Sequence, residues 1–408
     1  MTSGTLAPLR APVFRWFFAS QGVNRLGSTM APIALAFAVL ELSRAPWALG
    51  AVLAARTIPL VAFLLIGGVV ADRLPRSLVL TVGNTLAGLT QAAAAALVIS
   101  GHAEIWMLVV LEALNGTLSA ITLPALNSLV PQLVEGDDLR SANLLLNLVR
   151  GLIQVGGPSI SALLVVGVGP GWALGVDALT WIVSALLLLP VRLPRPGRSS
   201  SSGWNDLREG WTLFRTTQWL WVVVVAFGVL NMLSTGAIST LGPVLAKETF
   251  GPSGFGAMLS AGAAGDFVGT LVLTRIRFGR PLLAGMLACV ATGVQITLFG
   301  LQPTLASQVP LCFLAGVALA VFSLAWSVSM QEHIATDKLA RAWSYDALGS
   351  FVAMPVGQLL FGQLGHVYGI REVIAVGGVG YVVVCLLALL SPEVRTLRPT
   401  SPGSRAGP

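Results

Sequence analysis

Twelve stretches of the chain run almost without interruption through apolar residues, each long enough to cross the roughly 30 Å hydrocarbon core of a bilayer as a helix. They fall near 13–40, 46–71, 77–100, 104–130, 140–166, 171–190, 219–246, 253–275, 281–301, 307–333, 339–363 and 371–390. Backbone in lipid has no water to bond, so each segment must satisfy its own N–H and C=O groups as a helix or close into a barrel. None of the runs shows the alternation over about ten residues that marks a barrel strand, so helices are expected throughout. Composition points the same way: 55% of the 408 residues are hydrophobic and 10% charged, against roughly 25% charged in a soluble domain. A soluble interior of this size could not enclose so much apolar surface. The predicted fold class is an all-α membrane protein with twelve transmembrane helices in two pseudo-symmetric six-helix bundles.

The formal charge of +7 does not indicate a nucleic-acid partner, because the basic residues form short clusters between apolar runs rather than a basic domain. Their spacing follows the positive-inside rule. With the N-terminus inside, the cytoplasmic side holds Arg10, Arg15, Arg73, Arg76, Arg140, the cluster from Arg192 to Arg215, Arg275, Arg277, Arg280, Lys338, Arg341, Arg395, Arg398 and Arg405, eighteen of the 24. Only Arg44, Lys247 and Arg371 fall outside, so both termini are expected in the cytoplasm of a bacterial plasma-membrane protein. Residues 191–217, rich in Arg, Pro, Ser and Gly before Trp204-Asn205-Asp206-Leu207-Arg208-Glu209, read as a linker ending in an amphipathic surface helix. They separate bundles at 1–190 and 218–392, and 393–408 reads as a disordered tail. No cleavable signal peptide is expected, since the first run is too long for one. Cys289, Cys312 and Cys385 lie within apolar runs, without metal-ligand spacing.

The halves echo one another. Leu129-Val130-Pro131-Gln132 leads to Arg140-Ser141-Ala142-Asn143 and then to Gly157-Pro158; Ser329-Met330-Gln331-Glu332 leads to Arg341-Ala342-Trp343-Ser344 and then to Pro355-Val356-Gly357. Such a weak internal repeat fits a two-bundle transporter.

Between helices 2 and 3 stands Gly67-Gly68-Val69-Val70-Ala71-Asp72-Arg73-Leu74-Pro75-Arg76. Its glycines allow close helix approach, and Asp72, Arg73 and Arg76 form a charge cluster suited to gating. The segment resembles the G-x-x-x-D-R-x-G-R signature of the major facilitator superfamily, with Pro75 in place of the usual glycine. Phe14-Arg15, Asn24-Arg25-Leu26-Gly27, Asp177-Ala178-Leu179-Thr180-Trp181 and the run from Ala340 to Ser350 resemble that superfamily's enterobactin-exporter and macrolide-efflux-like group. The resemblance implies export of a small molecule from the cytoplasm, commonly driven by protons. Departures from it are Ser28, where many relatives carry Asp, and Glu112, where the antiporter pattern in helix 4 places Arg four residues before Gly116; of the helix 5 glycine-proline motif, Gly156-Gly157-Pro158 remains.

Ionisable residues within spans are costly and mark a pathway or a buried pair. Arg25, Arg56, Glu112, Arg150 and Asp266 are the candidates for proton coupling or intramembrane ion pairs. At about 1.5 Å per residue, Glu112 and Arg56 lie about 12–15 Å below the outer surface, with Arg25, Arg150 and Asp266 nearer the midplane. The expected groupings are Glu112 with Arg25 or Arg56, and Arg150 with Asp266; Glu112 is the preferred proton carrier. Asp177, near the outer end of helix 6, reads as a cap for that helix or a functional group. Gln21, Asn24, Asn115, Asn147 and Asn231 are candidate substrate-cavity residues, with interhelical hydrogen bonds as the alternative role. No nucleotide-binding loop, metal cluster or nucleophile elbow occurs, so no cofactor and no enzymatic activity are expected. The expected partners are a small-molecule substrate, protons and lipid, with the protein a monomer; an importer, a membrane sensor and a membrane enzyme are the alternatives.

Overall fold

A computed structural model of the chain describes residues 6–127, 129–134, 138–191, 203–273, 276 and 278–399. Among these, twelve helices are long and apolar enough to cross a membrane. They are α1 (Pro12–Leu42), α2 (Pro46–Arg73), α3 (Arg76–Ile99), α4 (Ile105–Asn127), α5 (Asp138–Val168) and α6 (Pro170–Leu188) in the first half. In the second half α7 runs Gln218–Ser234, through a π-helical stretch Thr235–Leu241, to Gly242–Glu248. It is followed by α8 (Gly251–Leu273), α9 (Pro281–Leu301), α10 (Leu305–His333), α11 (Thr336–Val352 and Met354–Tyr368) and α12 (Ile370–Ala388). The expected fold class is the one found.

Proline sets many of these boundaries. Pro12, Pro170 and Pro281 open helices, where the missing N–H is of no consequence. Deeper in, proline disturbs the ladder: α11 breaks at Ala353, just before Pro355, and the π-helical stretch of α7 ends next to Pro243. Gly169 and Gly369 join α5 to α6 and α11 to α12 in one-residue turns, with φ of +93° and +98°. Only glycine adopts this backbone cheaply.

The chain divides into two compact units, Met1–Ser199 with Ala246–Ser260, and Ser200–Leu245 with Ala261–Pro408. The residues 246–260 group with the first unit for identifiable reasons. The Lys247 ammonium donates to the Leu40 carbonyl at 2.7 Å, capping the end of α1, and the hydroxyls of Ser159 and Ser260 lie 2.7 Å apart.

In the first unit α3 packs on α6 and α4, and α1 on α5 and α6. In the second, α9 packs on α12 and α10, and α7 on α11 and α12, so the repeat is a repeat of helix pairings. Glycine mediates equivalent contacts: a Cβ on Gly157 would lie 2.1 Å from the Thr29 hydroxyl of α1, and one on Gly357 2.1 Å from the Met232 carbonyl of α7. Large apolar side chains such as Leu152, Leu163, Val166 and Leu179 point outward, a surface that only lipid accommodates.

A helix, Gly203–Thr216, precedes α7, and residues 192–202 lie outside the described set. It is anchored by aromatic stacking: the Phe214 ring sits 5.8 Å from Trp211 and 5.8 Å from Tyr345 of α11. The segment expected as a disordered tail instead begins with a helical turn, Pro392–Thr396. The Glu393 carboxylate accepts from the Trp219 amide at 2.9 Å, and Val394 is fully buried, which holds this turn against α7. Residues 400–408 lie outside the described set.

Candidate functional site

A glycine contact builds the ionic centre of the first unit. A Cβ on Gly116 would come 2.0 Å from the Arg56 carbonyl, so α4 and α2 touch backbone to backbone there. Glu112 lies one turn earlier on the same face of α4. The contact therefore brings its carboxylate to Arg56, with Nη1 3.6 Å from Oε2. The Glu112 side chain is 1% exposed and the Arg56 side chain 27%. Arg56 thus links a buried carboxylate to a recess of about 280 Å³, walled by Gln21, Asn24, Arg25, Ser28, Ser119 and Trp181 among others.

A second buried carboxylate belongs to this centre. Asp177 of α6 is completely buried, and its Oδ2 accepts from the Gln91 amide of α3 at 2.6 Å. It lies within electrostatic reach of both Arg56 and Glu112. Asp177 sits two turns into α6, inside the bundle, and does not cap the helix as it could have from sequence. Room for it comes from Gly27 of α1, where a Cβ would fall 2.5 Å from Oδ1. Among the described residues, the Glu112 oxygens, Asp177 Oδ1, Gln91 Oε1 and both amide atoms of Asn115 have no hydrogen-bond partner. Two carboxylates therefore share one guanidinium, in surroundings that also hold amide groups without a hydrogen bond.

Next to this centre lies a polar clamp that the sequence did not single out. Ser184 of α6 meets the Ser20 hydroxyl of α1 at 2.7 Å and accepts from the Asn84 amide of α3 at 2.9 Å. Small polar residues in apolar runs carry little periodic signal, and only the packing of three helices assembles them.

The pattern of the transmembrane secretion effector family, a branch of the major facilitator superfamily, matches residues 3–400. The chain belongs to this family. It is 24% identical over 400 residues to the enterobactin exporter EntS of Salmonella paratyphi A, covering 97% of this chain and 96% of that one. EntS of Escherichia coli O1:K1 is 24% identical over 395 residues, covering 96% and 94%. Among solved structures, the nucleoside transporter NupG superposes with a TM-score of 0.76 at 14% identity, over 93% of this chain and 98% of that one. A bacterial homologue of the iron transporter ferroportin gives a TM-score of 0.69 at 16% identity, over 92% and 98%. The chain is thus a multi-pass bacterial membrane transporter of small molecules and not an enzyme.

The remaining candidates are distributed over both units. Gln21, Asn24 and Arg25 line the recess beside Arg56; Gln21, Arg25, Asn147 and Arg150 line a second recess of about 260 Å³. Asn115 is 1% exposed, beside Glu112 on α4, and lines neither. Asn231 lies in the second unit, where its amide donates to the Ser350 carbonyl at 3.1 Å, an interhelical hydrogen bond. Asp266 is half-buried on α8. Arg76 opens α3, while the side chains of Asp72 and Arg73 and the surroundings of Gly67 and Gly68 lie outside the described set.

Proposed function

We propose that this transporter is a secondary active exporter that moves a small amphipathic, siderophore-like compound out of the cytoplasm in exchange for protons, by alternating access. The enterobactin exporters, matching over nearly the whole chain, support the direction and the compound class. The observation that carries the coupling is the Arg56–Glu112 pair at the wall of the recess.

Antiport requires that proton and substrate disfavour one another. Ionised Glu112 holds the Arg56 guanidinium in a fixed position on the recess wall, preorganised to bond a polar group of the substrate. A proton arriving on Glu112 removes that anchor, so Arg56 loses its position and the substrate its partner. Asp177 is the second carboxylate within electrostatic reach of Arg56 and shares that guanidinium with Glu112. The charge cluster at Asp72, Arg73 and Arg76 is proposed as the gate, and both termini are assigned to the cytoplasm by the distribution of basic residues.

The test is substrate-driven proton flux in proteoliposomes holding the full chain. Glu112→Gln is expected to abolish flux while counterflow exchange of substrate persists. Undiminished flux in this variant overturns the assignment of Glu112 as carrier.

A further inference from the structure

In the first unit, Arg25 and Arg150 sit near the middle of α1 and α5, two neighbouring helices, and are electrostatic neighbours of one another. They line the same recess of about 260 Å³. No carboxylate lines that recess among the described residues, and neither guanidinium has an ion-pair partner there within the first unit. The polar wall is completed by the amides of Gln21, Asn143 and Asn147. The other wall is apolar, from Phe17, Leu126, Val130, Leu139 and Leu146.

The second unit supplies an internal control. Asn231 lies thirteen residues beyond the start of α7 at Gln218, as Arg25 lies thirteen beyond the start of α1 at Pro12. Ser350 lies seven residues before Gly357, as Arg150 lies seven before Gly157. There neither side chain is charged, and the Asn231 amide donates to the Ser350 backbone carbonyl. Holding these two helices together therefore requires no charge. Arg25 is half-buried and Arg150 is exposed toward the recess, so two like charges stand together at its wall, where an anion would neutralise them. An unpartnered Asn24 amide nitrogen in the adjoining recess, which shares Gln21 and Arg25, adds a further donor.

We infer that the Arg25–Arg150 recess is an anion subsite that binds the carboxylate or phenolate of an aromatic or otherwise amphipathic substrate, with the apolar body against Phe17 and Leu146. Guanidinium forks suit planar oxyanions, and the apolar wall excludes fully hydrophilic anions. This deepens the reading of the protein as an exporter and rests on it.

The experiment is calorimetric titration of the purified full chain in nanodiscs with 1-naphthoate and with its neutral isostere 1-naphthamide. The wild-type protein is expected to bind naphthoate about ten-fold more tightly than the amide, or better. Arg25→Gln and Arg150→Gln are each expected to erase that preference, leaving amide binding as the check that the fold persists. Arg25→Lys and Arg150→Lys, which keep the charge, are expected to retain part of it. Equal binding of acid and amide by the wild type, or an unchanged preference in both glutamine variants, overturns the subsite. Should a glutamine variant fail to fold, the lysine variants decide: a preference lost as completely with charge retained overturns it. Proton flux is measured separately, so loss of coupling with anion preference intact refutes the antiport reading alone.

Discussion

Glu112 and Arg56 illustrate how one contact can serve both folding and function. The carboxylate is buried among helices and depends on a single guanidinium that is itself partly open to the recess. Breaking a buried pair by removing one partner costs about 3–5 kcal/mol, whereas replacing both by apolar groups is often neutral. Arg56→Met is therefore expected to lower the melting temperature markedly, and Arg56→Met with Glu112→Leu to restore most of the loss while leaving transport uncoupled. A double variant as unstable as the single one would show that the pair does not act as a unit; thermal unfolding in detergent reads the difference. Sequence alone identified these two as ionisable residues in lipid at similar depth but left Arg25 as an equal partner for Glu112. Choosing between them needed the Gly116 contact, which fixes which face of α2 meets α4. Asp177 was harder still, because its place depends on Gly27 and Gln91 from two other helices.

Elements in this chain are set by apolar length and proline, which is why the twelve spans read from sequence agree with the helices to within a few residues at most ends. What length could not supply were irregularities: the π-helical stretch in α7, the break in α11 and the packed turn at Pro392–Thr396. Each depends on tertiary partners or on how a proline is absorbed, and hydropathy is silent on both. Helix contact through glycine yields a prediction at this scale. Gly116→Ala places a methyl group 2.0 Å from the backbone of α2, while a Cβ on Gly167 of α5 meets nothing within 4 Å. Overpacking of this kind costs about 1–3 kcal/mol. Gly116→Ala is expected to destabilise the protein and weaken the Arg56–Glu112 pair, with Gly167→Ala close to wild type. Equal melting temperatures for the two variants would refute the close approach of α2 and α4.

Across the whole molecule the two units share helix pairings but not chemistry. Cys312 stands four residues before Gly316 of α10, as Glu112 stands four before Gly116 of α4. Gly377 stands eight residues after Gly369, as Asp177 stands eight after Gly169. The second unit thus holds neutral residues at these two positions of the scaffold, and its aromatic contacts include Phe227 on Phe322, at 3.8 Å. The distribution of basic residues gives the spans one orientation, which labelling can test. With the N-terminus in the cytoplasm, the α3–α4 turn faces outward and the α10–α11 turn inward. His102 and Ala335 are exposed at those two turns, and all three native cysteines are buried and unbridged. A membrane-impermeant maleimide is therefore expected to label His102→Cys in intact cells and Ala335→Cys only after the membrane is opened, with the parent chain unlabelled in both cases. The reverse pattern would place both termini outside. It would overturn the orientation read from the basic residues, while the direction of exchange would still follow the proton gradient.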